Sequence, residues 1–198
     1  MNEAIDRDWS VLVLVDFQGR LLPAIHGGLE AVAEAVRLAD VARELGIRVV
    51  GTEQNPRGLG PNHEAIGSRS DAVLTKMHFD ACADGLVDLL PAPGRPAPRE
   101  VVIAGCESHV CLLQTALGLL RAGLRVRVVA QACGSRAARD HELAMQRLRD
   151  AGAVIVSAEM VIFEWLRSCE HERFKRVLAL VKAPAVSRLS PSHTPTAS

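Results

Sequence analysis

Three residues whose types could supply a general base, a cation and a nucleophile stand where apolar runs end: Asp16 after VLVLV, Lys76 after AVLT, and Cys111 in CESHVC just beyond VVIAG. A carboxylate at the end of five consecutive apolar residues would be partly desolvated, which raises the basicity of an unpaired acid and suits a general base. Cys111 would lie in the first turn of a helix with Ser108 as its N-cap, where unpaired amides and the macrodipole favour an anion. Such a position lowers a thiol pKa below its free value of about 8.5. The same amides could accept the oxyanion of a tetrahedral intermediate. Lys76 offers a cation that would steady the thiolate and carboxylate. Each residue also has a plain structural reading: Asp16 as a turn cap, Cys111 as a small buried hydrophobe, Lys76 as a stem carrying its ammonium to water.

These residues need a scaffold that gathers strand ends. Short β-branched runs, VLVLVD (11–16), IRVVGT (47–52), AVLT (72–75), EVVIAG (100–105), LRVRVVA (124–130) and AVIVS (153–157), alternate with helical patterns. That alternation predicts an α/β fold in three αβα layers with a six-stranded parallel sheet, and the nearly continuous apolar runs suit strands covered on both faces. A helix over 28–45 carries Leu29, Val32, Ala33, Val36 and Ala39 at three-to-four spacing, with Gly46 as C-terminal cap. A second helix runs from 108 to 122, and a third over 140–152 opens on a capping Asp140 with an apolar stripe of Leu143, Met145 and Leu148. Segments 53–70 and 91–99, rich in Pro and Gly, read as loops, the first long enough to cover a site. In open parallel sheets ligands collect outside the carboxyl ends of the strands where their order reverses, which singles out Asp16, Glu53, Gln54, Lys76 and the CESHVC segment.

The 198 residues suit one domain over 1–183, followed by a disordered tail over 184–198 with little apolar area. Lys plus Arg and Asp plus Glu number 23 each, so no net field draws the chain to nucleic acid or an anionic membrane, and a small-molecule substrate is expected. Five cysteines, an odd number without CxxC spacing, read as free thiols in a reducing compartment. MNEAIDRDWS lacks the basic start and apolar core of a secretory signal, and no run approaches the roughly 20 apolar residues of a membrane span, so the cytoplasm is the expected location. DFQGRLLP holds one glycine where a dinucleotide binder needs GxGxxG, and no GxxxxGK[ST] loop is present; no cofactor is expected.

The chain resembles the isochorismatase-like cysteine hydrolases, and within them the branch of isochorismatase domain-containing proteins. The resemblance runs through VLVLVDFQ (11–18), TEQNPRGLG (52–60), LTKMHFDA (74–81), VVIAGCESHVCLLQTALGLL (101–120), the stretch 135–167 and HERFKRV (171–177), with GCESHVCLLQTAL the most specific block. It implies a Rossmann-like sheet in the order 3-2-1-4-5-6, which sets Asp16 and Cys111 beside the reversal. It also implies Cys111 as nucleophile, Asp16 as acid-base carboxylate and Lys76 as their partner. A cis peptide between Cys106 and Glu107 would aim the backbone amides of Glu107 and Cys111 at one oxyanion. The implied reaction cleaves the C–N bond of an amide or carbamoyl group through a thioester, in a homo-oligomer. Phe17, Gln18, Gln54, Leu59 and Phe79 are expected to shape the pocket.

Some features depart from relatives. Metal-dependent nicotinamidases carry Asp-x-His after the second strand, whereas this chain has Thr52, Glu53 and Gln54, and His63 and His78 stand alone; no metal is expected, nor nicotinamide as substrate. Gln131 precedes the Ser135-Arg136 pair where many relatives carry an Asp. Two other functions stay open: vinyl-ether hydrolysis of the isochorismatase type, in which the Asp protonates a carbon, and a non-catalytic oligomeric scaffold closed by the 53–70 segment. Met160, Ile162, Phe163, Trp165 and Leu166 form an apolar cluster suited to core or subunit contact.

Overall fold

The computed structural model describes residues 4–184. Six strands, β1 (Ser10–Val15), β2 (Val49–Gln54), β3 (Ala72–Lys76), β4 (Glu100–Cys106), β5 (Arg125–Gly134) and β6 (Val154–Val156), pair in parallel in the order β3-β2-β1-β4-β5-β6. The expected fold class and strand order are borne out. The helices are α1 (Gly28–Glu44), α2 (Pro56–Leu59), α3 (Glu64–Gly67), α4 (Leu86–Leu89), α5 (Leu113–Arg121), α6 (Ala138–Asp150), α7 (Ala158–Leu166) and α8 (Phe174–Lys182). From β1 the chain first crosses toward β3, then returns to the other side of β1 through β4, and crossovers of one hand running in opposite directions place α1 and α5 on opposite faces. Every residue of β1 and β4 is buried, the condition their unbroken Val, Leu and Ile runs satisfy.

The reversal opens a crevice at the carboxyl ends of β1 and β4, whose last shared register pair is Val15 with Gly105. Gly105 has φ +150°, and a Cβ there would collide with the Val15 carbonyl oxygen, so only glycine lets the two strands close up beneath the crevice.

Several boundaries differ from expectation. β2 runs on to Gln54 because β3 pairs with it as far as Gln54 with Lys76, so Glu53 and Gln54 end a strand instead of opening a loop. The 53–70 segment folds into α2 and α3, and it is pinned to the sheet by Asn62, whose amide group donates to the Thr52 carbonyl at 3.0 Å. β5 continues four residues past 130, after a register shift opposite Ile103 to Gly105. α6 starts two residues before Asp140, with Ala137 at its N-cap and no side-chain cap; its buried face is Ala144, Met145 and Leu148, while Leu143 is exposed. On α1 the expected face holds except at Leu29, which is 58% exposed. The C-terminal apolar cluster divides, with Ile162, Trp165 and Leu166 in the core and Met160 and Phe163 exposed. Beyond Pro184 the expected tail lies outside the described residues. Among those described, no helix is long and apolar enough to cross a membrane.

Candidate active site

Asp16 is the first residue past β1, and its φ of 52° turns the chain out of the sheet. Its amide still donates to the Thr52 carbonyl at 3.2 Å, so the carboxylate is held over the crevice by one further rung of pairing. Oδ1 accepts from Thr52 Oγ1 at 2.6 Å. Oδ2 lies 2.8 Å from Lys76 Nζ without hydrogen-bond alignment, so that contact is a Coulombic one. Neither side chain has any solvent exposure, 0% for both. The Lys76 ammonium therefore does not reach water; it donates to Gln54 Oε1 at 2.7 Å and to the His78 carbonyl at 3.3 Å. Burying either charge alone would cost several kcal/mol, about 3–5 for a broken pair, so each makes the other tolerable.

Cys111 lies in a π-helical turn, Ser108–Leu112, that precedes α5 and is closed by Leu112 N donating to the Glu107 carbonyl at 3.2 Å. The N-cap is Glu107 and not Ser108, because Ser108 is wholly buried and its hydroxyl is engaged with His141 Nδ1 at 2.9 Å. The peptide between Cys106 and Glu107 is cis. The Cys111 thiol donates to Gln54 Oε1 at 3.9 Å. Its pKa is not lowered, as its place at a helix start suggested, but pushed up to about 12, chiefly by burial and next by the Asp16 carboxylate, with Lys76 pulling the other way. Loss of water thus outweighs the helix terminus here.

The expected pocket residues take different parts. Gln54 faces both Lys76 and Cys111. Gln18 is fully buried and serves as a clamp: it donates to the Gln54 carbonyl at 3.0 Å and the Gly60 carbonyl at 2.6 Å, and accepts from Gln54 N at 2.9 Å. Phe17 is core, with no exposed surface. Leu59 is half-buried on α2, and Phe79 is 51% exposed on the loop after β3. A cleft of about 500 Å³ opens beside Lys76, with Asn55, Arg57, Met77 and Asp84 in its walls. His63 caps α3 and His78 pairs with Asp84 at 3.0 Å, so both have structural partners. Among the described residues no three His, Cys, Asp or Glu side chains could hold a metal ion together. Gln131 accepts from Ala158 N at 3.1 Å and joins β5 to α7.

Sequence reasoning missed the groups that brace these elements. Thr115 accepts from Ala81 N at 3.1 Å and donates to the Phe79 carbonyl at 3.3 Å, tying the loop after Lys76 to the helix after Cys111. Asp80 pairs with Arg121 at 2.8 Å against Gly118, where a Cβ would collide with the Asp80 carboxylate. His109 Nδ1 meets Ser135 Oγ at 3.0 Å, and Arg136 donates to the Glu107 carboxylate at 2.7 Å. All five cysteines are free.

The sequence profile described as the Isochorismatase domain matches residues 10–160. Isochorismatase domain-containing protein 2A of Mus musculus is 35% identical over 175 residues, 88% of this chain and 84% of that protein. In structure the chain is similar to MAR1 ribonuclease of Caenorhabditis elegans, with a TM-score of 0.83 at 28% identity, covering 99% of this chain and 100% of that one. The YcaC gene product of Escherichia coli, an octameric hydrolase of unknown specificity, shares the fold with a TM-score of 0.80 at 22% identity, covering 95% of this chain and 91% of that one.

Proposed function

The chain belongs to the isochorismatase domain family, and we propose that it is a cysteine hydrolase that cleaves a C–N bond in a small amide or carbamoyl compound. One observation carries the reading: Asp16, at the point where strand order reverses, is paired with Lys76 in full burial, and both charges act on the Cys111 thiol. A structural cap needs no buried lysine, and a scaffold needs no thiol set between opposite charges.

Cys111 rests as the neutral thiol, since burial and Asp16 hold its pKa near 12. As its sulfur bonds to the substrate carbonyl carbon, the thiol proton passes to Asp16, while Lys76 and the backbone amides of Glu107 and Cys111 meet the developing negative charge. The tetrahedral species collapses with loss of the amine, which takes the proton from Asp16. Water then adds to the thioester with Asp16 as base, the C–S bond breaks, and the sulfur recovers a proton. Amide and water become acid and amine, and the protein is unchanged. Homo-oligomeric assembly in the cytoplasm, without a cofactor, accompanies this proposal.

The test is a panel of small primary amides and carbamoyl compounds assayed for ammonia, with hydroxylamine added to divert the thioester to a hydroxamate. Activity lost in Cys111→Ala, with hydroxamate formed by the unaltered chain, is the expected result. Turnover of isochorismate that persists in Cys111→Ala would favour vinyl-ether chemistry, and inertness toward the whole panel would favour a scaffold. RNA belongs among the substrates because of the name carried by the C. elegans relative, although the balance of 23 basic and 23 acidic residues supplies no field for it.

A further inference from the structure

The side-chain oxygen of Gln54 touches both Lys76 and Cys111. It accepts from Lys76 Nζ at 2.7 Å and from the Cys111 thiol at 3.9 Å. The side-chain nitrogen donates to the Met77 carbonyl at 2.8 Å. An ammonium can only donate and a carbonyl can only accept, so the amide has one orientation, and its oxygen must face the sulfur. The backbone of Gln54 is held with equal firmness, by both ends of the Gln18 amide. The residue is 8% exposed, and these partners leave it no other rotamer that satisfies them.

An oxygen fixed in this way is compatible with a thiol and opposed to a thiolate. It accepts from S–H, whereas on ionisation the same dipole would point its negative end at an anion. It also engages one N–H of the ammonium that draws the thiol toward ionisation. We propose that Gln54 is a positioning residue that keeps Cys111 protonated in the resting protein and holds the Lys76 ammonium on Asp16 until a substrate carbonyl enters. The choice of glutamine over glutamate follows, because a second carboxylate at this place would compete with Asp16 for the single ammonium. The inference rests on Cys111 as nucleophile, but its test needs no substrate.

The rate of iodoacetamide alkylation is followed against pH at each cysteine by peptide-mapped mass spectrometry, in the unaltered chain, Gln54→Met and Gln54→Glu. Gln54→Met should speed alkylation of Cys111 near neutral pH by roughly three- to tenfold, the scale of one modest hydrogen bond, and shift its profile to lower pH. Gln54→Glu should slow it and shift the profile upward. Buried Cys106 and Cys133 should keep their rates in both variants, because the hydrogen bonds of the Gln54 side chain run to Lys76, Met77 and Cys111. An unchanged Cys111 profile in Gln54→Met overturns the proposal. So does a common rise at Cys106, Cys111 and Cys133, which would mean loosened packing instead of a freed thiol. Failure to find any hydrolysed amide would sink the functional reading while leaving this labelling result intact.

Discussion

Asp16 and Lys76 meet 2.8 Å apart with neither side chain exposed, though they come from strands separated by β2. Removing one partner strands the other charge in a low-dielectric site, at a cost of about 3–5 kcal/mol, whereas removing both leaves no charge to solvate. Asp16→Asn and Lys76→Met should each lose stability on that scale in urea unfolding, and the double variant should lose less than the sum. Strict additivity would mean that the pair is not coupled.

Asp16 also sets the thiol. Burial is the larger cause of the high Cys111 pKa and the Asp16 carboxylate the next, so Asp16→Asn should lower that pKa and hasten alkylation near neutral pH. The same variant should lose hydrolytic turnover by about 10²-fold or more, the scale of a missing general base. A thiol easier to ionise and an enzyme slower to react would separate the base role from a purely electrostatic one. If alkylation and turnover rose together, Asp16 would be no base.

How much of this site was legible depended on whether each residue's role was local. Asp16, Lys76 and Cys111 could be found because each follows an apolar run, and the alternation of runs and helices implied that their ends share one edge. Thr52 meets Asp16 across 36 residues and His141 meets Ser108 across 33, through strand register and helix placement that leave no local pattern. The side chain of Gln18 closes on the backbone of Gln54 and on Gly60, partners 36 and 42 residues away that no local pattern reveals. The thiol was misjudged for the same reason: a helix start is visible in sequence, but the burial that outweighs it is a tertiary property. The start of α6 was misplaced because Asp140 fits a cap that the helix does not use.

The Gln18 clamp makes a separable prediction. Gln18→Leu keeps the volume but leaves the Gln54 amide, the Gln54 carbonyl and the Gly60 carbonyl without their partner in a buried setting. Each buried polar group left unpaired costs about 1–3 kcal/mol, so thermal unfolding should drop well below that of a surface control such as Gly67→Ala, where a Cβ meets nothing within 4 Å. Cys111 alkylation should also quicken, since Gln54 loses its anchor. A variant as stable as the control would mean that water replaces the clamp.

Alkaline stability should be governed by the buried thiols. Cys82, Cys111 and Cys133 are each raised from 9.0 to about 12, mainly by burial, and Cys106 is raised for the same leading reason. In the unfolded chain these thiols ionise near pH 9, while in the folded protein they stay neutral until about pH 12. Ionisation of the unfolded state stabilises that state, so the thiols' contribution to folding is complete below pH 9 and drains away as pH rises toward 12. Thermal unfolding should therefore decline across that window, and Cys133→Ala should flatten the decline although it costs some stability at pH 7 by opening a small void. A melting temperature indifferent to pH between 9 and 12 would mean that water reaches the thiols more freely than their burial implies.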